Sequence, residues 1–228
     1  LMRNEQTIMH APVPASQPAF KGITRPVLVS AVLFMLVTGL AYPLATTGVA
    51  NLLFPNQAQG SLIIKDGRAV GSRLIWQYFI KPEYFHSRPS VTSGTDPNDP
   101  SKTVDQPYNA ALSAANNQGA ISKKLLDAVA ERAKAYREEN GLAADAVVPV
   151  DAVTASGSGL DPDISVANAR LQAQRVAKAR GLSTEDVLSL VDQHTTGRQF
   201  GLLGDPRVNV LELNLALDAA AHSRRAAQ

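Results

Sequence analysis

The 228-residue chain contains no cysteine. That excludes disulfide staples, thiolate zinc sites and cysteine nucleophiles. It leaves the compartment open, because a thiol-free protein tolerates either side of a membrane. Charge of one sign is also lacking. The formal net charge is +2, and the basic residues are scattered, with no dense run or aromatic interleaving. A nucleic-acid binder needs such a basic footprint, so that class is set aside. No Gly-x-x-x-x-Gly-Lys-Ser/Thr phosphate loop occurs; the nearest lookalike, Asp99-Pro100-Ser101-Lys102-Thr103, lacks the glycines and reads as a surface turn. The Asp-Lys-Thr-Gly-Thr run that cation-pumping ATPases phosphorylate is missing, as are a His-x-x-x-His pair and a Gly-x-Ser-x-Gly elbow. No carboxylate pair and no nucleophile–base set stands out by spacing. The expectation is a chain that is not an enzyme and binds no metal.

What is present begins with another absence: from Pro26 to Ile64 there is no charged residue. Crossing the hydrocarbon core takes about 20 apolar helical residues, and this stretch supplies them with margin. Gly39 and Pro43 would weaken a soluble helix, yet membrane helices tolerate both, and a kink is expected near Pro43. The competing reading is a cleaved signal peptide, for which Gly48-Val49-Ala50 offers small residues. The apolar run is about twice the usual ~7–15-residue signal core, which favours an anchor. Lys21 and Arg25 precede the span and Lys65 is the first cation after it. This asymmetry sets the N-terminus in the cytoplasm and sends the rest across. The expected layout is a disordered cytoplasmic tail over 1–25, a transmembrane helix over 26–54 with its core at about 27–49, an extracytoplasmic domain over 55–221, and a tail over 222–228.

The domain reads as α+β, with a small antiparallel sheet and three to four helices. Asp66-Gly67 between two apolar runs (61–64 and 69–75) predicts a hairpin. Residues 81–119, dense in Pro, Gly, Asn, Asp and Ser, read as a long irregular excursion. Ile121, Leu125, Val129, Ala133 and Tyr136 share a helical face that ends at Gly141, and Val147 to Val153 reads as a strand. Ser165 caps a helix through Arg180, closed by Gly181. Ser183 and Asp186 have capping-box spacing, with Leu182 placed to staple against Val187. After Pro206, Asn209 caps a last helix that buries Val210, Leu213 and Leu217.

Three features are candidates for contacts. The glycine-serine run Ser156-Gly157-Ser158-Gly159 either presents backbone N–H groups to an anion or simply crosses between elements; the residues alone favour the second. Arg88, just after Tyr84 and Phe85, either grips a carboxylate or partner, or ties down the long loop. Arg198 and Arg207 bracket Phe200-Gly201-Leu202-Leu203-Gly204-Asp205-Pro206, a surface better suited to docking than to acid–base chemistry.

Taken together, several segments resemble the C-subunit family of Kdp potassium-transporting P-type ATPases. They are Gly71-Ser72-Arg73-Leu74-Ile75-Trp76-Gln77, Phe85-His86-Ser87-Arg88-Pro89-Ser90, the run from Ser156 to Ala177, His194-Thr195-Thr196-Gly197-Arg198, and Pro206-Arg207-Val208-Asn209-Val210-Leu211-Glu212-Leu213-Asn214. The likeness runs from about residue 25 to 219. Trp76 stands where the family usually has glycine, and Asp163 where it usually has histidine; Ser113-Ala114-Ala115-Asn116-Asn117 only loosely follows its Ser-Gly-Gly-Ser-Asn run.

The resemblance implies an accessory subunit of the bacterial inner membrane. Its partners would be a potassium-conducting channel-like subunit, an ATP-hydrolysing P-type subunit, a small membrane peptide and the lipid bilayer. It implies a catalytic-chaperone role, aiding assembly and raising the hydrolysing subunit's affinity for ATP, with no cofactor of its own and ATP met only through the complex. Family carry-over marks Gln77, Arg88, Ser156, Gly157, Ser158, Gly159, Asp161 and Arg198 as nucleotide or partner contacts. An outer domain cannot touch cytoplasmic ATP, so the coupling would be indirect. The rival readings are a membrane-tethered extracytoplasmic hydrolase and a solute-binding module.

Overall fold

The computed structural model describes residues 22–226, and most of the tail read over 1–25 lies outside them. The chain divides after Ala58 into two units.

The first unit is one apolar helix, Thr24–Leu53, made of α1 (Thr24–Leu36), a π segment (Val37–Ala41) and α2 (Tyr42–Leu53), followed by the short α3 (Pro55–Ala58). Its mean hydropathy is 2.2 over an 18-residue window, and none of its side chains is buried in the protein. At 1.5 Å per residue it is about 45 Å long, more than the hydrocarbon core requires. Just before Pro43, where a kink is expected, the helix carries the π segment, in which the Tyr42 N–H bonds back to the Val37 carbonyl. Pro43 has no N–H to offer the preceding turn, and an i→i+5 insertion is one way a helix absorbs that loss. Thr38 and Thr46 turn their hydroxyls back onto the Phe34 and Tyr42 carbonyls (2.6 and 2.9 Å), so their polar groups are satisfied within the helix.

The second unit opens with the expected hairpin, β1 (Leu62–Lys65) and β2 (Arg68–Ser72), antiparallel around a two-residue turn. Asp66 and Gly67 both have positive φ (50° and 73°), as this tight turn demands. The register slips between Ile63 and Ile64, which marks a bulge. The excursion over 81–119 is more ordered than its composition suggests. It holds a second hairpin, β3 (Ser93–Thr95) with β4 (Thr103–Asp105), and is tied to the rest of the domain through side chains.

Next come α4 (Lys123–Asn140), closed by Gly141 in the left-handed region, and α5 (Val150–Val153). Ile121 precedes α4 and is almost wholly exposed, so it does not join the predicted apolar face. The strand expected over 147–153 is a short helix instead. Its β-branched residues suggest extended chain, but α5 turns Ala152 and Val153 into the core and leaves Val147 and Val150 in solvent. The same turn sets the Asp151 carboxylate against Ser165 N (2.8 Å), Ser165 Oγ (2.9 Å) and Asn168 Nδ2 (3.1 Å).

The remaining chain follows its caps. β5 (Asp163–Ser165) leads into α6 (Val166–Arg180), where Ser165 Oγ accepts from Asn168 N; Ser183 does the same for Asp186 N at the start of α7 (Thr184–Gln193). β6 (Thr195–Thr196) and β7 (Arg207–Asn209) precede α8 (Val210–Ala226), where Asn209 Oδ1 accepts from Glu212 N. Nothing after Asn209 breaks a helix, and α8 runs past the boundary expected at 221. Strand order β5-β7-β6 gives a small antiparallel sheet. Val208, Val210, Leu213 and Leu217 pack with Ile164, Val176, Val187 and Val191 in one core, which also encloses Trp76 and Phe85.

Those two aromatics belong to an irregular strap that turns at Lys81–Tyr84; Trp76 N donates to the Leu160 carbonyl (3.1 Å), and around Phe85 side chains hold the backbone where a sheet would use a neighbouring strand. Asn214 accepts from Phe85 N (2.9 Å) and donates to Phe85 O (3.1 Å). Gln172 accepts from His86 N (2.7 Å) and donates to His86 O (2.9 Å). Arg175 spreads its guanidinium over Pro82 O, Tyr84 O, Asn140 Oδ1 and Gln172 Oε1. Arg180 lies over the Tyr84 ring, 4.8 Å from its centroid, and pairs with Asp218 (2.8 Å).

Candidate functional site

Continuing from the strap, residues 87–92 run beside the glycine-serine loop and fix it. Arg88 Nη1 donates to Asp161 Oδ2 (2.9 Å) and Nη2 to Ala155 O (3.3 Å). Ser87 Oγ donates to Asp161 O (3.2 Å) and Ser90 Oγ to Gly159 O (2.8 Å). From the other side, Ala114 N and Ser113 Oγ both donate to Ser158 O (3.0 and 2.9 Å). The loop's carbonyls are thus its working groups. Gly159 sits at φ +68°, and a Cβ there would lie 2.6 Å from Thr92 Cγ2 and 2.9 Å from Ala114 O, so glycine permits the close approach. Ser156 is buried, while Gly157 faces open space. The run is a packed joint between two loops.

A cleft of about 530 Å³ opens beside this joint, lined by Arg88, Asp161, Asp163, Asp205 and Arg207 among others. Asp163 pairs with Arg207 (3.0 Å) across the β5–β7 rungs. Burial raises the Asp163 carboxyl above its ordinary value; Arg207 opposes this and the neighbouring Asp161 adds to it. Asp161 is held from two sides, since Oδ1 also accepts from Asp163 N (3.1 Å). Arg198 reaches the rim by pairing with Asp205 (2.7 Å).

Arg88, Asp161 and, through Asp205, Arg198 therefore gather at one surface. Ser156–Gly159 lie behind it without lining it. Gln77 is elsewhere: it lines a separate groove of about 600 Å³ with Trp76, Tyr78 and Tyr108, and its Nε2 donates to the Val70 carbonyl. In that groove burial pushes the Tyr108 hydroxyl up to about 12, and Tyr108 donates to Arg88 O (3.0 Å). The cleft residues Asp151 and Asp163 carry interactions the sequence reading did not assign, because the α5 turn brings Asp151 to Ser165 and the three-residue β5–β7 pairing brings Asp163 to Arg207. Chemically, the cleft is a set of carboxylates and guanidiniums locked in mutual pairs, suited to presenting a fixed polar relief.

The fold defines a class: an α+β domain joined to one helix long and apolar enough to cross a membrane. A family model described as K+-transporting ATPase, c chain, matches residues 24–219. The potassium-transporting ATPase KdpC subunit of Rhodopseudomonas palustris (strain BisB5) is 59% identical over 195 residues, covering 86% of this chain and 96% of that protein. Its namesake in Bradyrhizobium diazoefficiens is 56% identical over 197 residues, with 86% and 96% covered. The Mycobacterium bovis subunit is 51% identical over 193 residues, with 85% and 96% covered. The chain belongs to the KdpC family, the c chains of K+-transporting ATPases.

Proposed function

We propose that this chain is a non-catalytic accessory subunit of an ATP-driven potassium-uptake complex. In this reading Thr24–Leu53 anchors it in the plasma membrane, the N-terminus is cytoplasmic and the α+β domain lies outside. The partners are a potassium-conducting subunit, an ATP-hydrolysing subunit and a small membrane peptide. The observation that carries the reading is the continuous family match from the apolar helix to residue 219, which includes the Arg88–Asp161 joint and the cleft beside it. Lys21 before the helix and Arg25 in its first turn, with no further cation until Lys65, support the orientation.

The subunit aids assembly and raises the ATP affinity of the hydrolysing subunit. Because ATP is cytoplasmic, an outer domain acts through a shift between two states of the membrane subunits, each favoured differently by the docked chain. The rigid relief around Arg88, Asp161 and Arg198 is the surface assigned to docking.

The native chain has no cysteine, so single cysteines report topology directly. Gly157→Cys, at an open position, reacts with an impermeant maleimide from outside intact cells, and Ser16→Cys only after permeabilisation. Reaction of Gly157→Cys from the cytoplasmic side would overturn the indirect mechanism. Purified complex lacking the chain shows a raised KM for ATP; an unchanged KM refutes the coupling role.

A further inference from the structure

The hairpin β1–β2 presents an arrangement the potassium-pump reading does not use. Leu62 and Ile64 project from the same side of β1, 47% and 60% exposed. Tyr78 (60%) lines one groove with Leu62 and the next groove with Ile80 (62%), which sets these three exposed apolar side chains along neighbouring grooves. At the tip, Lys65 and Arg68 face each other across the closing rung of the ladder. Like charges directly opposite destabilise a ladder, and neither makes an ion pair with another described residue. Two unpaired cations, which with the turn carboxylate of Asp66 leave the tip net positive, lie beside exposed Leu, Ile and Tyr and are the complement of a lipid interface. Anionic phosphates lie above acyl chains there, and tyrosine sits well at the boundary.

Chain length narrows the occupant further. Leu62 follows the end of the apolar helix, Leu53, by nine residues, about 30 Å even if fully extended. Four of those residues, Pro55–Ala58, are coiled into α3 and shorten the reach. Tethering at this range makes contact with the same bilayer an intramolecular event. The other exposed apolar turn, Phe200 to Leu203, lies far along the chain and has no such constraint.

We infer that the β1–β2 hairpin is a lipid-docking element. It lays Leu62, Ile64 and Tyr78 against the headgroup–acyl boundary while Lys65 and Arg68 bind headgroup phosphates, fixing the domain's pose on the membrane. The inference rests on reading Thr24–Leu53 as a span, and the test separates the two.

Full-length chain carrying a polarity-sensitive fluorophore on a single cysteine is reconstituted into vesicles containing phosphatidylglycerol, with or without doxyl-labelled lipid. The sites are Leu40→Cys in the helix, Leu62→Cys or Ile64→Cys in the hairpin, and Leu202→Cys in the distant turn. The expected result is quenching at 40, at 62 and at 64, with solvent-like emission at 202. Lys65→Glu with Arg68→Glu, or vesicles of phosphatidylcholine alone, lowers the docked-to-free ratio at 64 by about five-fold per cation lost. Quenching at 40 without quenching at 62 or 64 overturns the hairpin proposal and leaves the span. Absence of quenching at all sites overturns the span itself. Shielding at 64 that arises only with the partner subunits, and never from lipid alone, assigns the hairpin to a protein surface and overturns the proposal.

Discussion

Replacing Asn214 with alanine strips both backbone hydrogen bonds from Phe85, at 2.9 and 3.1 Å, in a fully buried setting. Each buried backbone group left unpaired costs about 1–3 kcal/mol, and some of this is recovered if water enters the space. The loss of stability is therefore about 3 kcal/mol, which lowers the unfolding midpoint by about 6–12 °C for a domain of this size. The readout is built in: Trp76 is the single tryptophan, 2% exposed, and it packs in the same core as Phe85. Equilibrium urea unfolding of full-length protein in detergent, followed by its emission, measures the change. Asn214→Asp is no rescue, because it keeps an acceptor for Phe85 N but turns a lone pair toward Phe85 O. Gln172→Ala removes the adjacent pair of bonds on His86. Because both amides hold one strap, the double variant loses less than the two single losses together. A loss below about 0.5 kcal/mol for Asn214→Ala, with an unchanged denaturant slope, would refute the idea that side-chain amides replace a missing strand.

Three further outcomes test the same structure. Arg175→Lys removes a planar fork that serves four acceptors and costs about 2–3 kcal/mol in the same urea assay. Gly159→Ala meets both a left-handed backbone and Thr92, and costs about 2 kcal/mol or more, whereas Gly157→Ala at its open position stays within about 0.5 kcal/mol. Glu139, hydrogen-bonded by His86 Nδ1 (3.0 Å), has its carboxyl held below the ordinary value of 4.5, mainly by that bond. A depressed acid contributes stability above its unfolded value that is lost as pH falls through the folded one. Glu139→Gln therefore flattens the acid limb of a stability–pH profile below about 4.5, and an acid limb as steep as the parent's would refute the assignment.

What could be read from the sequence was what neighbours along the chain decide. Ser165, Ser183 and Asn209 bond groups three residues on, and Asp66-Gly67 makes its own turn, so each announces itself locally. The strands β5 and β7 are three residues each and exist only because Asp163–Ser165 meets Arg207–Asn209 from more than forty residues away. Val147 to Val153 misled because its β-branched residues speak of extended chain, while Asp151 and the burial of Ala152 and Val153 decide otherwise. At the site, Arg88 stood out by type and by resemblance and Asp161 by resemblance alone, but their pairing is long-range. A usable signal was passed over: Asn168, Gln172 and Asn214 are polar residues on helix faces that are otherwise buried. Such residues need partners, and here the partners are the strap and its supports.

The clamp on Phe85 also sets when the domain can first exist. Its two halves lie 129 residues apart, and α8 follows in chain order every other described element. Until Asn214 arrives, the Phe85 N–H and carbonyl lack the partners that let them be buried. Closing the clamp therefore waits on a long-range contact, and any truncation before residue 214 forfeits it.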